Sequence, residues 1–187
     1  VHPNDDVNKS QSSNDTFPTG MHIAAAIEIN DTLIPVIETL SETFKQKQQA
    51  FENVVKKMAN SSILQKADSI IAIDARGFIL GSAISFFLSK PMIMARKPGK
   101  LPGNLISKSY NLEYGSNSLS LQKNALDKFE SFAIVDDLLA TGGTAKCVLE
   151  ILMNLNKKIE GLSVLIELKD LKGRDNLKIP VNSLITF

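Results

Sequence analysis

The stretch Phe132–Leu152, FAIVDDLLATGGTAKCVLEIL, constrains the chain more than any other. An apolar run ends in two adjacent carboxylates, passes through a turn of Thr and Gly, and opens an amphipathic run with helical spacing. Short apolar runs bounded by turn signals read as buried strands. A strand that feeds a helix through a tight turn is the repeating unit of an α/β fold on a mainly parallel sheet. The same grammar recurs from Asp68 onward. Strands are expected at 68–74, 91–95, 131–136, 161–168 and 181–187, and helices at 78–89 and 144–155. In such sheets ligands bind beyond the carboxyl ends of the strands, where the following loops converge.

The loop after 131–136 combines two chemistries. Backbone N–H groups at a helix start, with small residues that let a ligand come close, make an anion site of Ala140, Thr141, Gly142, Gly143 and Thr144. Asp136 and Asp137 repel a phosphate but suit vicinal hydroxyls, or a Mg²⁺ that a substrate brings. A sugar phosphate satisfies both. The loop is neither G-x-x-x-x-G-K nor G-x-G-x-x-G, so nucleoside triphosphate and dinucleotide fingerprints are absent.

Two further loops lie at the same edge. Residues 96–108 hold Arg96, Lys97, Lys100 and Lys108 with no acidic residue, and two Gly and two Pro punctuate them. Such a shaped basic loop fits a polyanionic group such as pyrophosphate. Arg76 and Gly77 follow strand 68–74, and Arg76 has a structural alternative as the partner of Asp74.

Before Asp68 the pattern differs. Residues 1–20 are polar and turn-rich, and residues 21 to about 60 read as helix. Ile27, Leu33, Ile34, Ile37, Leu40 and Phe44 recur mostly at spacings of three and four, as a buried helical stripe does, and Pro35 should start, break or kink that helix. A net charge of +1 gives no global attraction to nucleic acid or membrane, and a single cysteine, Cys147, allows no intrachain disulfide. With no apolar run of membrane-spanning length, the expected location is the cytoplasm.

IVDDLLATGGTA resembles the phosphoribosyl pyrophosphate signature of the type I phosphoribosyltransferases. With ARGFILG, RKPGKLPG and YNLEYG it is similar to the adenine-specific members, from about residue 50 to 187. The resemblance implies a twisted, mainly parallel sheet flanked by helices, and transfer of a phosphoribosyl group to adenine with Mg²⁺, giving AMP and pyrophosphate. It also implies roles. Asp136 and Asp137 would take the ribose hydroxyls and Ala140–Thr144 the 5′-phosphate. Arg76, Arg96, Lys97 and Lys100 would handle pyrophosphate, the basic loop reaching a partner subunit in a homodimer. Glu113 and Tyr114 would lie on a mobile flap, Glu113 as acid/base near the purine. Asp74 stands where the family usually has Glu, and FPTG at 17–20 is not followed by the family's D-I-T-P.

HPNDDVNKSQSSNDTFPTGMHIAAA and LIPVIETLSETFKQK instead resemble a class II fumarase segment, fading near Ala50. There Ser12, Ser13 and Asn14 would bind a dicarboxylate, with His2 and Asn4 at a secondary anion site. The expected organisation is therefore a fusion, with a fumarase-like helical extension at 1–50 and a phosphoribosyltransferase domain at 51–187. Two alternatives stand beside the transferase: a non-catalytic phosphoribosyl-binding module, and a truncated lyase fragment.

Overall fold

In the computed structural model the structure describes residues 1, 2, 6, 13–112 and 115–187, with backbone alone at 13, 14, 110–112 and 115–117. The chain divides into two compact units, Val1–Ala50 and Phe51–Phe187.

In the first unit, α1 (Ser13–Glu28) begins within the stretch expected to be turn-rich, and Pro18 lies inside it. A π-turn, Ile29–Leu33, then leads into α2 (Ile34–Ala59). The turn lies where Pro35, lacking an N–H, denies the helix one backbone bond. The apolar stripe is not buried: Ile27, Leu33, Ile34, Ile37, Leu40 and Phe44 are 42–65% exposed. The described part of residues 1–50 is almost wholly helical and contains no strand, so it supplies no sheet to cover that face.

The second unit continues with α3 (Ser62–Lys66), β1 (Ser69–Ile73), α4 (Gly77–Leu88) and β2 (Met92–Ala95). Next come β3 (Leu105–Leu112), β4 (Gly115–Gln122), α5 (Lys123–Leu126), β5 (Ser131–Leu139), α6 (Gly143–Asn154), β6 (Lys158–Glu167) and β7 (Val181–Thr186). Five strands form a parallel sheet in the order β2-β1-β5-β6-β7. The alternation of side chains along β5 sorts the core. Phe132 and Ile134 pack with Val148, Ile151 and Leu152 of α6, while Ala133 and Val135 face Met58, Leu64, Leu80 and Ile84. Both faces are covered, as a parallel sheet requires.

The basic loop ends early, because β3 and β4 form an antiparallel pair from Leu105↔Gln122 to Leu112↔Gly115. Lys108 is therefore a strand residue, 3.2 Å from Glu150 of α6. The hairpin is built on a weak alternation in which Leu119 and Leu121 are buried.

The strand order reverses between β1 and β5. From β1 the chain crosses to β2 on one side, and from β5 to β6 and β7 on the other. The loops after β1 and β5 therefore part at their carboxyl ends and leave a crevice.

Candidate active site

The crevice is a cleft of about 510 Å³. It brings together Arg76, Lys97, Asp136, Asp137, Ala140, Thr141, Gly142, Gly143 and Thr144, with Asp74 and Leu138 beside them. Arg96 and Lys100 do not line it. Glu113 and Tyr114 lie outside the described residues, as do Asn4 and Ser12, and of Ser13 and Asn14 only the helix is described.

The two carboxylates sit in different surroundings. Asp136 approaches the start of α4, where a Cβ on Gly77 would come 2.9 Å from its Oδ1. Only glycine leaves that space. Asp136 Oδ1 accepts a hydrogen bond from the Asp137 N–H at 2.9 Å. Burial, reinforced by the charge of Asp137, pushes Asp136 up to about 7. A carboxyl so poised can donate to a sugar hydroxyl as well as accept from one. Asp137 instead pairs with the exposed Arg76 guanidinium, 61 residues away in sequence.

That pairing corrects the local expectation for Arg76. Asp74 is held by Arg96, 3.3 Å away, and not by Arg76. Arg96 also donates to the Lys100 carbonyl at 3.3 Å and stands 5.8 Å over the Phe78 ring. It braces the basic loop from within and leaves Lys97 as that loop's cation in the cleft. Gly99 and Gly103 take φ of 75° and 86°, the left-handed values that shape the loop.

At the other end Gly142 has φ 83° and precedes α6 as its N-cap. A helix start, with its dipole, favours an anion. Sequence reasoning missed what stands behind this turn. A Cβ on Gly142 would come 2.8 Å from the Gly173 carbonyl oxygen, and one on Gly173 would overlap the Ala140 carbonyl. Asn176 Nδ2 donates to the Thr141 carbonyl at 3.0 Å. The turn-rich KGRDN at 172–176 was the available signal, but nothing local links it to residue 141.

Among the described residues no three His, Cys, Asp or Glu side chains gather to hold a metal. Asp136 and Asp137 offer carboxylate oxygens beside the anion cradle. That donor set fits a Mg²⁺ carried mainly by substrate oxygens.

A family model described as phosphoribosyl transferase domain matches residues 45–183, and one described as lyase matches residues 1–69. The chain belongs to the phosphoribosyl transferase family. The adenine phosphoribosyltransferase of Prochlorococcus marinus (strain MIT 9515) is 53% identical over 171 residues, covering 85% of this chain and 100% of that protein. The crystal structure of adenine phosphoribosyltransferase from Thermoanaerobacter pseudethanolicus superposes with a TM-score of 0.71 at 38% identity, covering 76% of this chain and 83% of that one. The Saccharomyces cerevisiae enzyme, complexed with an imino-altritol bisphosphate and adenine, gives a TM-score of 0.61 at 33% identity, over 75% and 78%. The resemblance noted for both ends of the chain is thus found again, with the two family matches overlapping at 45–69.

Proposed function

We propose that this chain is an adenine phosphoribosyltransferase: it joins adenine to C1 of 5-phosphoribosyl 1-pyrophosphate, giving AMP and pyrophosphate, a purine salvage reaction. The observation that carries this reading is a cleft in which the loop at 140–144 adjoins two carboxylates and two cations, Arg76 and Lys97.

In the reaction the C1–O bond to pyrophosphate breaks, a bond from C1 to a purine nitrogen forms, and that nitrogen gives up its proton. Ala140–Thr144 bind the 5′-phosphate, and Asp136 and Asp137 orient the ribose hydroxyls. Arg76 and Lys97, with Arg96 and Lys100 shaping and extending the basic loop, stabilise charge on the departing pyrophosphate. Arg76 must exchange Asp137 for the ligand, which its exposure allows. Mg²⁺, when bound with the substrate, neutralises pyrophosphate charge. Glu113 serves as acid/base near the purine, with Tyr114 on the closing flap that excludes water. The enzyme works as a cytoplasmic homodimer in which the basic loop reaches the partner's site. Residues 51–187 carry the transferase, and 1–50 are a fumarase-like extension.

The test is AMP formation from adenine, phosphoribosyl pyrophosphate and Mg²⁺. Absence of AMP, with the folded protein in hand, refutes the assignment. Glu113→Ala should lower turnover far more than phosphoribosyl pyrophosphate affinity; an equal loss of both would remove Glu113 from the chemistry.

A further inference from the structure

We propose that Asn176 is a positioning residue for the phosphate cradle: its side-chain amide holds the Thr141 carbonyl and thereby aims the Gly142 N–H at the substrate's phosphate. The inference rests on the phosphate reading of that loop and adds a residue outside the motif, carried by a different segment.

The geometry begins with the peptide between Thr141 and Gly142. A trans peptide is planar, and its C=O and N–H point in opposite directions. Asn176 Nδ2 donates to that carbonyl at 3.0 Å, and Asn176 is not among the residues that line the cleft. Drawing the oxygen toward Asn176 turns the N–H of the same peptide the other way, across the turn. Gly142 is free to rotate about φ and ψ more than any other residue type, so without a tether this peptide has several orientations open to it.

Asn176 can serve as a tether because its own segment is fixed. Arg174 donates to Glu167 on β6, with Nε 2.9 Å from Oε1 and Nη2 2.5 Å from Oε2, and to the Val181 carbonyl on β7 at 2.8 Å. Ser183 on β7 adds a hydrogen bond to Glu167 at 2.6 Å. Leu177 is 3% exposed within the core. The Asn176 N–H donates to Gly173 O at 3.2 Å, closing a turn packed so near the phosphate loop that a Cβ on Gly173 would overlap the Ala140 carbonyl and one on Gly142 would meet the Gly173 oxygen. The sheet edge thus supports the phosphate turn from behind through one short segment.

Three variants test this: Asn176→Ala, which removes the donor; Asn176→Asp, which sets a carboxylate against the Thr141 oxygen; and Asn176→Gln, which keeps an amide on a side chain with room to extend into solvent. KM and Kd for phosphoribosyl pyrophosphate, KM for adenine, kcat and the thermal midpoint are measured for each. Asn176→Ala should raise KM and Kd for phosphoribosyl pyrophosphate about 2- to 10-fold, the range of one neutral hydrogen bond. The adenine KM, kcat and thermal midpoint should stay near wild type. Asn176→Asp should lose more, and Asn176→Gln should recover part of the affinity. Unchanged phosphoribosyl pyrophosphate affinity in Asn176→Ala overturns the role of Asn176 while leaving the transferase intact. A loss shared equally by both substrates and by the thermal midpoint overturns it too, since that is a merely structural effect. Wild-type protein that binds no phosphoribosyl pyrophosphate overturns this inference and the proposed function together.

Discussion

Helix α6 and the first half of α2 carry similar patterns and meet opposite fates. Along α6, Ala145, Cys147, Val148, Leu149, Ile151 and Leu152 are all buried. Along α2, Ile37, Leu40 and Phe44 recur at comparable spacing and are 53%, 52% and 65% exposed. The difference lies in what precedes and follows each helix. α6 connects two parallel strands, β5 and β6, and such a crossover must lie across the sheet it joins. Among the described residues the first half of α2 lies between helical segments and not between two strands, so no crossover of the kind that holds α6 fixes its apolar face. An amphipathic stripe says which side of a helix is apolar; it does not say that anything covers it.

The largest expected effect lies in the sheet. Phe132 is fully buried and stacks edge-on against Phe129 with centroids 6.5 Å apart. Phe132→Ala should cost about 3–5 kcal/mol of unfolding free energy, read by urea titration. A cost below about 1 kcal/mol would mean the sheet core is far looser than the burial shows.

Next comes the cleft. Asp137→Asn should weaken phosphoribosyl pyrophosphate binding about 10- to 100-fold, as expected for hydrogen bonds to a charged group. Unaltered affinity by calorimetry would contradict the ribose assignment. Substitutions at Ile37 or Phe44 should leave that affinity alone, which separates the two regions functionally.

Two carboxyls of the second unit should then answer pH in opposite senses. Asp136 is raised to about 7, mainly by burial, so the folded state holds its proton longer than the unfolded chain. Its contribution is fully present below the ordinary aspartate value and is lost as pH rises through about 7. Relative to Asp136→Asn, the wild-type melting temperature should fall between pH 4 and 8. Glu167 is lowered to about 2, first by its hydrogen bond with Arg174, so its contribution is present above the ordinary glutamate value. It is lost as pH falls through about 2. Relative to Glu167→Gln, wild type should lose stability on acidification. Parallel pH responses of the two variants would reject the contrast between a carboxyl raised by burial and one lowered by its Arg174 partner.

The smallest effect should come from the exposed stripe. Phe44→Ala ought to change stability by no more than about 0.5 kcal/mol, as surface substitutions do. A cost approaching that of Phe132→Ala would show that the stripe is covered in solution, and the contrast between the regions would collapse.

The strands of the sheet were legible because parallel strands are buried on both faces and read as short, nearly continuous apolar runs. β5, expected to end at Asp136, runs three residues farther to Leu139, since its ladder with β6 continues past the carboxylates. The β3–β4 hairpin was not legible, because its Ser-rich alternation has little apolar weight and the sequence between the two strands, Glu113-Tyr114, is neither Asn-Gly nor Asp-Gly. The run of carboxylates and small residues leading to a helix start at 136–144 could be read from order alone, since these features are contiguous there.

Partnership could not be read that way. Asp74 lies two residues from Arg76 in the chain, but β1 pairs with β5 so that Arg76 meets Asp137, and the Asp74 carboxylate goes to Arg96. Asn176 reaches Thr141 across 35 residues, an approach made by the neighbouring loops of a parallel sheet. The strands of the parallel sheet, the helices that join them, and the run of residue types in the central loop follow from local pattern, because backbone preference and side-chain type act over a few residues. Which charge meets which, how far Asp136 is removed from water, and whether an apolar stripe is covered depend on packing between distant segments. Those properties belong to the tertiary structure alone.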